Sequence, residues 1–254
     1  MTTRNSTTIR RLGRTQRGFT LVELMITVAI ALFLLGGLVT ILQNVRSAYN
    51  NQQSLAQLQD QQRFAMTVLT DVIQAGGYFP DPTTWTPTSS LPAAGAYAQG
   101  QAFTGTHAAG VPDSIGVRYR TAGGDGVILC TGATNNGAVN TNQLYTNQFA
   151  VVPQAGNVPG QLTCSLNGAA AVALVNGVQN LLVYYGVKRD FTTNDYNVDT
   201  YLTADQLSAV DWSNLSSVRL ILTFTNPMAA QPGQPALITF ERVVEVMARS
   251  GVHT

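Results

Sequence analysis

The stretch RGFTLVELMITVAIALFLLGGL, residues 17–38, decides the reading of this chain. One acidic residue, Glu23, stands at its head, and LMITVAIALFLLGGLVTIL, residues 24–42, then runs on without a charge. A run of that length is about what a helix needs to cross the roughly 30 Å hydrocarbon layer of a bilayer. Upstream, Arg4, Arg10, Arg11, Arg14 and Arg17 precede every acidic residue in the chain. The positive-inside bias therefore places residues 1–17 in the cytoplasm and everything after Gln43 on the far side of the membrane. The bulk of the protein is expected to be exported.

Ordinary export signals explain this segment incompletely. A cleaved secretory signal ends in small residues after its apolar core, whereas here the apolar run passes into residues 43–49 with no A-x-A site. A plain signal anchor fits the length and flanks but gives no reason for Glu23. A carboxylate at the centre of a membrane helix costs roughly 2.5 to 3.5 kcal/mol, somewhat less near an end, and asks for a partner unless headgroup water hydrates it.

The string at residues 17–38 resembles the N-terminal signature of type IV pilins and type II secretion pseudopilins. The resemblance implies that a prepilin peptidase cuts between Gly18 and Phe19, that Phe19 becomes the N-methylated first residue, and that Glu23 is the acidic residue of the motif. The chemistry is consistent with that: a glycine lets a protease approach the backbone closely. Cleavage there would leave an α-amine beside an apolar helix. In a filament, the Phe19 amine of a neighbouring subunit would compensate Glu23 in low dielectric.

No proline occurs between Phe19 and Phe79, which predicts one helix from about 19 to about 75, roughly 85 Å long at 1.5 Å per residue. Beyond Gln43 the composition turns to Gln, Asn and Ser, while Leu55, Leu58, Ala65, Leu69 and Val72 recur at helical spacing, with Phe64 and Val68 widening the stripe. Gly76 and Gly77, followed by Pro80 and Pro82, form a helix stop. Gly36 and Gly37 lie inside the span and would either loosen the helix or permit close helix packing, the packing reading being preferred. The expected organisation is a leader at 1–18, a long helix at 19–76 with 24–42 transmembrane, and an exported β-rich domain at 77–254.

In that domain, residues 81–110 are rich in Thr, Pro, Ala, Gly and Ser, without periodicity, and read as a long loop. Strands are expected at 115–120, 127–130, 148–152, 161–166, 178–187, 218–224 and 237–247, with a helix in 203–211 at most. The fold class is α+β and pilin-like: a long N-terminal transmembrane and amphipathic helix packed on a mostly antiparallel β-sheet domain. Cys130 and Cys164, the two cysteines, are most simply one disulfide in an oxidising compartment.

The exported half is also similar to PilW-type minor pilins. The matching strings are DSIGVRYR at 113–120, CTG at 130–132, LTC at 162–164, LVNGVQNLLVYYGV at 174–187 and YLTADQLSAVDWSNLSSVRLILTF at 201–224. The ending ITFERVVEVMAR, 238–249, departs from the usual one of that family and leaves the partners of the last strand open. This resemblance implies a minor pilin acting in initiation or assembly of the type IV pilus, in a priming or tip complex. Its partners would be other minor pilins, the major pilin, the prepilin peptidase and the assembly machinery in the inner membrane. It implies a single-pass inner-membrane location with a periplasmic C-terminal domain, followed by the pilus itself.

Composition narrows the alternatives. Among 254 residues, 14 Lys+Arg stand against 13 Asp+Glu, and only 11% are charged against 45% hydrophobic, which excludes a disordered tail and a polybasic arm. Without residues 1–18, nine basic groups face 13 acidic ones, a formal charge of −4, so nucleic acid is not an expected partner. No P-loop, dinucleotide fingerprint, H-E-x-x-H, G-x-S-x-G or zinc spacing occurs, and no enzyme activity or cofactor is expected. A thiol enzyme would need His107 or His253 as base. The string GGDG at 123–126 reads as a hairpin turn.

Asp195, Asn197 and Asp199 resemble the first half of a calcium loop, but Thr200 stands where the Gly is needed and Gln206 where the Glu is needed. An Asn/Asp-rich turn is the preferred reading, with no metal expected. Tyr184, Tyr185, Tyr196, Tyr201 and Trp212 could present a sugar-binding surface, though in a β domain such aromatics usually pack the core. Two alternatives thus remain beside the pilus reading: a minor pseudopilin of type II secretion, and a membrane-anchored periplasmic module for calcium or glycan.

Overall fold

Helix α1 runs Leu21–Gln74, 54 residues in all. This is a computed structural model, and it describes residues 18–190, 192 and 197–247. Internal contacts divide the chain into two units, residues 1–52 and 53–254, with the boundary inside α1.

In the first unit every residue from 18 to 50 is exposed. Thr20 opens the helix: its hydroxyl accepts from the Glu23 amide at 3.3 Å and its carbonyl from the Leu24 amide at 3.2 Å. Glu23 lies in the first turn, where the exposed amides of a helix start favour a negative charge. Leucines, isoleucines and valines point in all directions here, so the surface is apolar all round.

In the second unit α1 becomes amphipathic. Leu58, Ala65, Met66, Leu69, Val72 and Ile73 are buried, and Leu55 and Val68 pack against them. Phe64 does not belong to this stripe: it is 52% exposed, and Met66 and Ile73 occupy the buried sector instead. The expected stop holds. The Gly76 amide donates to the Ile73 carbonyl, and Gly77 takes the left-handed conformation at φ 81° that a C-terminal cap requires.

Nine strands follow among the described residues: β1 Phe103–Ala108, β2 Val111–Thr121, β3 Gln143–Val152, β4 Gln161–Leu166, β5 Val172–Asn176, β6 Val178–Val187, β7 Thr200–Leu202, β8 Leu215–Thr225 and β9 Leu237–Glu245. They form two antiparallel sheets, one ordered β1-β2-β3-β4-β5 and the other β7-β6-β8-β9. Ile115, Val117 and Tyr119 of β2, Phe149 of β3, Leu181, Val183 and Tyr185 of β6, and Val218, Leu220, Leu222 and Phe224 of β8 join the helix stripe in one apolar cluster. The α+β fold class is as expected, with two sheets where one was expected.

Three expectations need correction. Residues 81–110 are not a structureless loop: they contain the short helix α2, Pro87–Ser90, and strand β1. Only Phe103 of β1 is buried, and its remaining residues are Thr, Gly, His and Ala, so pairing with β2 rather than an apolar pattern makes it a strand. Residues 127–130 form no strand. Their backbone is satisfied by a turn and by side chains: the Leu129 amide donates to Ala133 O at 2.8 Å, the Cys130 amide to Asn147 Oδ1 at 2.9 Å, and Tyr119 donates its hydroxyl proton to Ile128 O at 2.6 Å. Nor is GGDG a hairpin between strands. Asp125 closes it by accepting from the Ala122 and Val127 amides, and the next strand begins only at Gln143. Within 203–211 the chain forms a 3₁₀ turn at Ala204–Gln206, and helix α3 begins at Ala209 and ends at Ser213.

Candidate functional site

The processing and assembly residues expected from sequence lie together at the start of α1. Gly18 has no heavy atom within 4 Å of where a side chain would begin, and Phe19 is 77% exposed. Glu23 follows one turn into an exposed helix. Among the described residues nothing crowds the peptide between Gly18 and Phe19. The helix that follows carries an 18-residue window of mean hydropathy 2.6, none of it buried, and is long and apolar enough to cross a membrane.

In the second unit Cys130 and Cys164 are joined as a disulfide across 34 residues of sequence, with Cα atoms 6.1 Å apart. Both are buried. The link ties the irregular segment after β2 to strand β4, and constraining a loop of that size contributes about 3 to 4 kcal/mol on the chain-entropy model. With both sulfurs in that bond, neither cysteine serves as a nucleophile with His107. His253 lies outside the described residues.

Of the calcium candidates, Asn197 and Asp199 fall within the described residues. Asp195 lies outside the described residues, as does Tyr196. Asp199 spends one oxygen on the chain itself: Oδ2 accepts from the Arg189 and Asp190 amides, each at 2.6 Å. Asn197 stands two residues before it in the segment leading to β7. Among the described residues no group of three or more His, Cys, Asp or Glu could hold a metal ion. The aromatics are divided between faces. Tyr185 is buried with the edge of Trp212 at 4.9 Å, whereas Tyr184 lies on the opposite face of β6, beneath Arg219 at 5.8 Å.

Sequence reasoning missed a cluster of buried polar groups that holds the domain together. Arg118 is 1% exposed and has no carboxylate partner among the described residues. Its guanidinium donates to four carbonyls of the segment before β1: Gln101 at 2.5 Å, Pro92 at 2.5 Å, Ala98 at 2.7 Å and Leu91 at 3.2 Å. The Tyr97 ring lies 4.6 Å from it, and a side chain on Gly116 would collide with the Tyr97 hydroxyl. Burial raises the Tyr97 pKa against the opposing pull of Arg118, and burial lowers that of Arg118. Arg120 repeats the motif, donating to Ser90 O and Asn142 O and stacking on Trp85 at 4.7 Å. The spacing 118, 120 on the polar face of β2 was the available signal.

Two further joints are charged. Asp113, 2% exposed, accepts from the Val183 amide of β6 at 2.8 Å and meets His107 Nδ1 at 2.8 Å, so one carboxylate bridges the two sheets. Asp211 is held well below the usual carboxylate range, first by hydrogen bonds from Arg189 and then by Ser208. Arg189 Nε and Nη2 reach its two oxygens at 2.9 and 2.7 Å.

Comparison with known proteins agrees with the two halves separately. Residues 132–243 match the family model described as Type IV Pilus-assembly protein W, and residues 13–39 match the prokaryotic N-terminal methylation motif. No curated protein sequence matches the chain. Among solved structures, the type IV-like pilin TTHA1219 from Thermus thermophilus is 14% identical, with 74% of this chain and 96% of that one covered at a TM-score of 0.35. Over residues 132–243 the chain is thus similar to the PilW family, behind a match to the N-terminal methylation motif at residues 13–39.

Proposed function

We propose that this chain takes part in initiation and assembly of the type IV pilus, in a priming or tip complex with other minor pilins. The single observation that carries the reading is the methylation motif at the head of an apolar helical stretch exposed throughout residues 21–50. In this reading the leader at 1–18 is removed by a prepilin peptidase, and residues 24–42 hold the precursor in the inner membrane with the domain from 77 onward in the periplasm. After the cut, Phe19 presents a methylated amine, and Glu23 of one subunit pairs with that amine on its neighbour. The activity is association, not catalysis. The PilW match favours the pilus over type II secretion.

Intact mass and N-terminal sequencing of the membrane protein, from cells with and without prepilin peptidase, test the processing step. Expected is a mature chain beginning at N-methyl-Phe19 only when the peptidase is present. Retention of residues 1–18 in both strains overturns the reading. Glu23→Ala is expected to be cut normally yet to be at least about tenfold depleted in sheared pili, since it leaves the neighbour's amine uncompensated in low dielectric.

A further inference from the structure

We infer that the outer edge of β9 is a docking edge for an extended strand of another protein, one with apolar side chains against Leu237 and Val243 and a cation against Glu245. The inference rests on the assembly reading only for its biological setting. Its geometry comes from the ladder between β8 and β9. The Asn226 amide donates to Ala236 O and the Val246 amide to Ser216 O, both at 2.9 Å, and no register shift interrupts the pairing between them. Antiparallel alternation then turns the backbone groups of residues 238, 240, 242 and 244 toward β8. Those of Leu237, Thr239, Glu241, Val243 and Glu245 point away from the sheet.

All five of those residues are exposed, and no strand pairs with them on that side among the described residues. The other edges are blunted. Strand β7 has three residues, and the β1–β2 and β4–β5 pairings are each broken by a register shift. Short or irregular edges resist addition of a further strand, whereas a long, regular one without proline invites it. Strand β9 has nine residues, neither a bulge nor a proline, and its outward row includes two exposed aliphatics, Leu237 at 48% and Val243 at 50%.

Charge selects the occupant. Glu241 is already engaged by Arg219 through two hydrogen bonds at 2.7 and 3.0 Å. Glu245 makes no ion pair among the described residues and is the open charge of the row. A second copy using all five outward residues would set Glu241 opposite Glu241 and Leu237 opposite Glu245, and like charges directly opposite destabilise a ladder. A heterologous strand with a basic residue at the Glu245 end has no such conflict. Backbone hydrogen bonds would supply the affinity and the side-chain row the choice of partner.

The test uses the full chain in detergent micelles, with amide hydrogen exchange read residue by residue. The probe is the peptide Lys-Thr-Val-Glu-Thr-Thr-Thr-Thr-Val, whose antiparallel register places Lys on Glu245 and Val on Val243 and Leu237. Its control has Lys and Glu interchanged. Expected is slowing of the Thr239, Glu241 and Val243 amides by about tenfold with the matched peptide and little with the control. The amides of residues 238, 240 and 242 should not move, and Glu245→Lys should abolish the preference between the two peptides. No slowing at millimolar matched peptide, or equal slowing by both, overturns the proposal. So does protection of the outward amides without peptide: concentration-dependent protection would mean a second copy, and concentration-independent protection the chain's own terminus. None of these outcomes bears on the Glu23 and processing experiments, so the two readings fail separately.

Discussion

The two ends of α1 are one helix written for two surroundings. From residue 18 to 50 every side chain is exposed and the apolar surface closes on itself around the helix. In the stretch from Leu58 to Ile73, six residues are buried along one stripe while Asp60, Arg63 and Asp71 stay exposed. The second pattern is complete within the protein, because the sheets cover the stripe. The first is not: so large an apolar surface in water demands lipid or other subunits. The folded core therefore resides in the second unit, and the first keeps its apolar surface uncovered.

The sharpest way to break this comparison is to place the same charge in each half. Leu69→Asp puts a carboxylate where exposure is 0%, and should lower the unfolding free energy of the domain by about 4 kcal/mol or more. Leu34→Asp should leave domain unfolding in detergent unchanged and instead deplete the protein from membranes. Urea titration of both variants, read by tyrosine fluorescence, checks the pair. A smaller loss is expected from Arg118→Met, which keeps the bulk but leaves four carbonyls without their donor. A cost of about 2 to 3 kcal/mol follows from orphaning buried acceptors, with faster proteolysis confined to residues 85–101. If residues 85–101 stay resistant, the arginine is not what holds them.

The smallest effect concerns pH. Asp211 has its pKa depressed in the folded chain by Arg189 and Ser208. A depressed carboxyl contributes stability that is present above its unfolded value, near 3.9, and lost as pH falls through the folded value. Stability of the second unit should thus decline below about pH 4, and the slope there should flatten in Asp211→Asn. Arg189 is half exposed, with 48% of its side chain accessible, so the contribution is modest and shrinks in salt. Thermal unfolding between pH 2 and 6 at two ionic strengths measures it.

Much of the architecture was legible because it rests on local patterns. The proline-free run, the glycine pair at its end and the alternation of Leu220, Leu222 and Phe224 are each decided within a few residues. The segment 81–110 was illegible for the opposite reason. Thr, Ala, Gly and Pro carry no periodicity of their own, and what orders them is β2, whose Arg118 and Arg120 side chains hold carbonyls between residues 90 and 101 and whose backbone pairs with β1. Residues 127–130 misled in the reverse sense, because an apolar run records burial, and burial here comes from the Cys130–Cys164 link and the Asn147 side chain rather than from a ladder.

By itself, then, the sequence determined the apolar helix and its acidic residue, the stop at Gly76 and Gly77, the α+β class and most of the long strands, since each follows from short-range periodicity or from a motif read in order. Only the tertiary structure decided that the strands divide into two sheets, that buried arginines organise the segment before β1, that Asp113 bridges the sheets, and that β9 lies at an edge with five outward backbone positions. The physical reason is common to all four. Hydrogen-bonding groups seek whatever partner the folded chain brings near, and a strand's neighbours are set by topology, about which its own residues carry no local signal.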